Sequence, residues 1–142
     1  MRILFDTNVV LDVLLARGTY AVPAAELLAR IERHSLVGLL GSTTITTIHY
    51  IARRTLGDDG AREQMRRLLQ LFEVAPVDRA VVDDALDLGL SDFEDAVLHE
   101  CARHASADGI VTRNTSDFAS ARLPVYTPQE LLGILDAATQ KG

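Results

Sequence analysis

The chain has almost no lysine. Of its 14 basic residues only Lys141 is a lysine, one position short of the end of a 142-residue sequence. That scarcity excludes several phosphate-handling classes together. A P-loop, a receiver domain and a phosphatase of the haloacid dehalogenase type each bring a lysine from the folded core to the phosphate. Cysteine is as scarce. Cys101 stands alone, so no disulfide forms within the chain, and a reducing, cytoplasmic setting is expected. No apolar run approaches the roughly 18–20 residues that cross a bilayer, so no membrane association is expected. Asp6 also interrupts the first apolar segment too early for a secretory leader. Aromatic residues make up 5%, which argues against recognition by base stacking. A net charge of −6 argues against a broad electrostatic hold on nucleic acid, although acids committed to a metal leave room for a local basic patch.

What is present describes a globular domain. Hydrophobic residues form 48% and charged residues 24%, and the length fits one domain spanning residues 1–142. Apolar runs fit strands at residues 2–5, 36–40, 73–77, 109–112 and 123–126. Helical spacing occupies the segments between them. The helices expected are 8–16, 22–34, 44–55, a further one opening at Asp58 or Asp59, 79–89, 92–105 and 129–138. Gly18 and Gly57 are the expected stops. On the second helix Val22, Ala25, Leu28 and Ile31 share a face; on the fourth, Met65, Leu68, Leu69 and Phe72 do. Strands alternating with helices predict an α/β fold, three layers α/β/α around a parallel sheet of four to five strands.

The chemistry gathers at strand ends. Arg-Ile-Leu-Phe-Asp-Thr-Asn-Val (2–9) delivers Asp6 and Asn8 at the end of the first strand. Ser-Asp-Phe-Glu-Asp-Ala-Val (91–97) places Asp92 and Asp95 three apart, on one face at the start of a helix. Ile-Val-Thr-Arg-Asn-Thr-Ser-Asp-Phe (110–118) follows a strand with Thr112, Arg113, Asn114 and Asp117. Each acid has an ordinary alternative: Asp6 or Asn8 as a helix cap, Asp92 and Asp95 as first-turn acids, Asp117 and Asn114 as turn residues. In open α/β sheets, however, ligands sit beyond the carboxyl ends of the strands. Carboxylates converging there repel one another unless a cation lies between them. Hard oxygen donors suit Mg²⁺, with Mn²⁺ also possible. Asp6, Asp95 and Asp117 are the expected catalytic and metal-binding residues, with Asp92 a further ligand. Arg113, Asn114, Thr112 and Asn8 are the expected substrate contacts, Arg113 toward phosphate with no aromatic platform beside it.

Phe-Asp-Thr-Asn, Asp-Phe-Glu-Asp-Ala and Val-Thr-Arg-Asn-x-x-Asp-Phe, in that order and spacing, resemble the PIN domain, and most of all the bacterial VapC-type toxins. The resemblance runs from residue 2 to about residue 132. It implies a Mg²⁺-dependent endoribonuclease, often a homodimer, acting on RNA and neutralised by a small cognate antitoxin encoded beside it. In such toxins the antitoxin lays an extended segment and a helix into a groove, and an arginine reaching the carboxylates would switch the site off. One residue departs from the pattern. PIN domains usually carry an acid, most often Glu, on the helix after the second strand; here that helix reads Thr-Thr-Ile-Thr-Thr-Ile-His-Tyr, and the slot aligns with Thr47. Either Asp92 or Glu94 compensates, or metal binds more weakly, or the chain is a PIN-fold binding module without nuclease activity.

The remaining polar residues divide simply. His49 beside Tyr50 reads as structural, His99 and His104 lie too far along their helix to reach the strand ends, and His34 reads as a surface helix end. Arg53, Arg54, Arg62, Arg66 and Arg67 either track a phosphate backbone or form a solvated face balanced by Glu63. Apolar residues on helices 22–34 and 61–72 exceed what a five-stranded sheet needs, which points to a dimer or a partner helix.

Overall fold

Ile3 and Phe5 face one side of the first strand and Leu4 the other, and this alternation sets the layers of the molecule. The computed structural model describes residues 1–141; Lys141 closes the last helix, and its side chain lies outside the described part. Five strands, β1 (Arg2–Phe5), β2 (Val37–Gly41), β3 (Glu73–Ala75), β4 (Gly109–Val111) and β5 (Val125–Tyr126), form one sheet in the order β3-β2-β1-β4-β5. Every pairing is parallel. The helices are α1 (Thr7–Leu14), α2 (Ala21–Glu32), α3 (Ser42–Leu71), α4 (Arg79–Asp87), α5 (Phe93–His104) and α6 (Pro128–Lys141).

The strand order dictates where the helices lie. From β1 the chain moves outward through β2 to β3, then returns to the other side of β1 for β4 and β5. Right-handed crossovers then place the helices after β1 and β2 on one face and those after β3 on the opposite face. The core divides accordingly. Ile3, Phe5, Leu27, Ile48, Leu68 and Leu131 pack on the side of α1, α2, α3 and α6, while Leu4, Leu39, Val81, Leu98 and Ile110 pack under α4 and α5. Because the winding reverses between β1 and β4, a crevice opens at their carboxyl ends, the usual ligand position in such sheets.

Of two local features, the break at Gly57 falls where it was expected and the buried face of α2 does not. Gly57, at φ 74° and ψ 168°, breaks α3, and residues of both halves line one groove, so the halves fold back on each other. On α2 the buried stripe is Ala24, Leu27 and Ile31, whereas Val22 is 74% exposed and Ala25 also faces outward. Their helical spacing is real, but the sheet selects the neighbouring face. On the second half of α3 Met65 and Leu68 are buried, as is Phe72 at its C-terminal cap, in keeping with the spacing, and Leu69 is left exposed.

Candidate functional site

Asp6 leaves β1 just where the crevice opens. Its N–H still bonds Val111 O of β4 at 3.0 Å, which anchors its backbone to the sheet. Its carboxylate caps α1: Oδ1 accepts from Thr7 N at 2.7 Å. Oδ2 accepts from Thr112 Oγ1 at 2.8 Å and from Asn8 Nδ2 at 3.4 Å. The cap expected as an alternative to a metal role is therefore present, and it leaves further lone pairs on the same carboxylate.

Thr112 and Asn8 hold neighbouring groups rather than presenting themselves to a substrate. Thr112 is fully buried. Its hydroxyl donates to Asp6 and accepts from Asn114 N at 3.1 Å, so it orients the acid and the following loop and offers no face to a substrate. Asn8 is engaged on both ends of its amide, Nδ2 on Asp6 and Thr112, Oδ1 accepting from Arg113 N at 3.3 Å. Asn114 is exposed at the start of the 3₁₀ turn Thr115–Phe118, which carries the exposed Asp117.

Asp95 sits in the first turn of α5. Asp92 caps that helix through an Oδ1 that accepts from Asp95 N at 3.1 Å, so one of its oxygens is already committed. Burial, then the negative charges of Asp92, Asp6, Asp117 and Glu94, push the Asp95 carboxyl up to about 6. Asp6 is raised as well, first by burial and also by Asp117, against the lowering hydrogen bonds from Thr112 and Thr7. The structure thus brings Asp6, Asp92, Asp95 and Asp117 into one electrostatic neighbourhood. None of the acids acting on Asp95 comes from α3, whose first half holds Thr47, half-buried, and no carboxylate.

The oxygens of these four acids are spaced more widely than a closed cage. Among the described residues, the acids and histidine whose ligand atoms meet within 4.8 Å are Asp84, Glu100 and His104, at the opposite end of α5. Arg103 lies inside that group, 2.8 Å from Asp84 Oδ2 and paired with Glu100, and His104 Nε2 is 2.7 Å from the same Asp84 oxygen. A guanidinium in the middle makes it an ion-pair network bracing α4 against α5. For a metal, the wider set at the crevice fits better: it is all hard oxygen, the carboxyls of Asp6 and Asp95 are raised by burial and by neighbouring acids, and Mg²⁺ commonly keeps water among its ligands.

Arg113 is where the structure departs most from the sequence reading. Its Nε lies 2.8 Å from Asp12 Oδ2, a close ion pair without the alignment of a hydrogen bond, and Asp12 is 1% exposed. The other face of the guanidinium lies over the Tyr20 ring, 4.2 Å from its centre. An aromatic therefore does accompany Arg113, and its charge already has a counterion, which weakens the expected phosphate contact. Burial raises the Asp12 carboxyl, against the lowering charges of Arg113 and Arg17. In the sequence Asp12 is marked by being an acid inside the largely apolar helix 8–16, whereas Tyr20 carries no local signal.

His49, His99 and several surface arginines have structural partners. His99 is fully buried and its Nε2 accepts from Arg122 N and Leu123 N, both at 3.1 Å, holding the segment before β5. His49 Nε2 is 3.3 Å from Asp58 across the α3 break. Arg62 pairs with Asp58, and Arg66 and Arg67 share Glu63, so most of the positive charge on this face is compensated. Burial lifts the Cys101 thiol to about 11, which leaves it inert.

A family model of the PIN domain matches residues 2–116, most of the chain. The chain belongs to the PIN domain family. No curated protein matches it in sequence. Solved structures share the PIN fold across almost their whole length. A toxin–antitoxin complex from Klebsiella pneumoniae is 23% identical, with TM-score 0.67 over 88% of this chain and 96% of that one. VapBC2 from Rickettsia felis, bound to a DNA fragment from its promoter, is 15% identical, with TM-score 0.67 over 88% and 97%. VapC20 of Mycobacterium tuberculosis, a toxin that cleaves the sarcin-ricin loop, is 16% identical, with TM-score 0.65 over 84% and 95%. Among the described residues of this PIN domain no helix is long and apolar enough to cross a membrane.

Proposed function

We propose that this PIN domain is a metal-dependent endoribonuclease and the toxin of a two-gene toxin–antitoxin module. One observation supports the reading most: the charges of Asp6 and Asp117, from two distant segments, both act on the Asp95 carboxyl, and that of Asp117 acts on Asp6 as well. Asp6 and Asp95 would hold Mg²⁺ or Mn²⁺, with Asp117 beside them and the free oxygen of Asp92 in reserve. A divalent ion there supplies charge neutralisation and water activation for in-line attack on a phosphodiester. The chain's own part is to hold Asp6 rigidly through Thr112 and Asn8, and to raise the proton affinity of Asp95, so that cation and proton compete there as pH falls toward about 6. The toxin role, a cognate antitoxin, a homodimer and a cytoplasmic location follow from the family resemblance and from the fold shared with toxin–antitoxin complexes.

Thr47 favours a second reading, a PIN-fold binding module without catalysis. Calorimetric or thermal-shift titration with Mg²⁺ and Mn²⁺ separates the two. The nuclease is stabilised by metal, and Asp6→Asn and Asp95→Asn abolish both that gain and RNA cleavage. In the binding module metal does nothing, and both substitutions are neutral or stabilising because like charges no longer face each other. Growth arrest on expression, relieved by the adjacent small gene product, tests the toxin role separately.

A further inference from the structure

Beside the carboxylates lies a pocket of about 190 Å³ lined by Tyr20, Pro23, Arg113, Thr127, Pro128 and Gln129. It adjoins the site covalently and through hydrogen bonds. Arg113 follows Thr112, whose hydroxyl holds Asp6, and Thr112 N bonds Tyr126 O, which leads directly into Thr127. Its walls are flat and weakly polar: an aromatic ring that is 50% exposed, a guanidinium plane stacked on that ring, and two prolines. The exposed amide of Gln129 at the rim offers both a donor and an acceptor.

The pocket is poorly suited to phosphate. The charge of Arg113 is neutralised by buried Asp12. The first turn of α6 is closed by its own capping box, Thr127 Oγ1 accepting from Glu130 N at 3.1 Å and Glu130 Oε1 from Thr127 N at 2.9 Å. What remains is a planar stacking platform with one hydrogen-bonding amide, the chemistry that recognises a nucleobase. We infer that this pocket takes one unpaired base of the nucleic acid next to the bond being cut, stacked against Tyr20 and Arg113 and read along its edge by Gln129. The inference rests on the nuclease reading and narrows it: the substrate is single-stranded at that nucleotide, since a base paired inside a duplex cannot enter.

The test uses fluorescent ribo-oligomers in which each position around the cut carries each of the four bases, as single strands and as blunt duplexes. Wild-type protein is expected to cleave the single strands at least about tenfold more efficiently and to prefer one base at one position. Tyr20→Ala should lose that preference and raise KM about 5- to 150-fold, the equivalent of the roughly 1–3 kcal/mol that a stacked base contributes. Tyr20→Phe should keep both, and Gln129→Ala should relax the preference alone. Equal cleavage of duplexes, or an unchanged preference and KM in Tyr20→Ala, overturns the subsite while the nuclease stands. A Tyr20→Ala variant that slows every oligomer equally and lowers Tm shows a purely structural contact and overturns it too. If wild-type protein cleaves nothing, the nuclease reading fails, and oligomer binding by anisotropy decides the subsite: binding weakened by Tyr20→Ala upholds it, and absence of binding removes it.

Discussion

The Thr112 hydroxyl donates to Asp6 Oδ2 across 2.8 Å from a position with no solvent exposure, tying the end of β4 to the end of β1. A buried neutral donor on a carboxylate favours its charged form, here against the burial that raises Asp6. Thr112→Val should cost about 1.5–3 kcal/mol of stability, the range for a hydrogen bond to a charged group. It should also weaken metal binding, because Asp6 then holds its proton to higher pH. Thr112→Ser should retain both properties. Denaturant unfolding with Mn²⁺ calorimetry checks the pair.

Asp95 makes metal binding depend on pH. Its carboxyl is raised from the usual carboxylate range to about 6, so between those values the folded protein keeps a proton that the unfolded chain has released. Stability contributed by that proton is present at low pH and lost as pH rises through about 6. Without metal, Asp95→Asn should therefore raise Tm at pH 7, by about 3 °C or more for a domain of this size. In the wild type, Mn²⁺ affinity should climb as pH rises toward 6 and level off above it, since the ion must displace the proton. A pH-independent affinity would contradict the coupling.

Arg113 compensates Asp12, and among the described residues Arg17, at 3.8 Å, is the second cation paired with it. Arg113→Ala should cost about 3 kcal/mol, the lower end for breaking a buried pair, because Arg113 itself is 26% exposed. Removing both partners, as Asp12→Leu with Arg113→Met, should recover most of the loss. The single variant should be less impaired at mildly acidic pH than at pH 7, because the raised Asp12 carboxyl takes up a proton more readily as pH falls and less charge is left buried. Equal losses at both pH values would rule out this account.

Thr47→Glu restores a negative charge to the helix position where PIN domains usually carry one. An added carboxylate within about 4 Å of a cation is worth on the order of 1–4 kcal/mol, depending on solvent exposure. Mn²⁺ binding should tighten about tenfold or more, with faster RNA cleavage. No change in either would place Thr47 outside the metal's reach.

Much of the architecture was legible in the chain, because strands buried on both faces read as apolar runs and glycines mark the breaks, as at Gly57. The acids at strand ends were legible for the same reason: their position in the chain follows from where each strand stops. Side-chain engagement was not legible. Nothing in the local sequence says that Thr112 is sealed under Asp6, or that Asp92 caps α5 through Asp95 N. Helical spacing likewise offered Val22 and Ala25 for the α2 core, and the sheet took Ala24 and Leu27 instead.

By itself, then, the sequence determined the layer order, the parallel strands and the acids that each strand end presents, since those depend on period and propensity within a few residues. Only the tertiary structure decided which charges meet. Asp12 and Arg113 lie in segments far apart in the chain, and so do Asp6 and Asp95. Coulomb interaction depends on distance in space, and that distance exists only once β4 has come to lie beside β1.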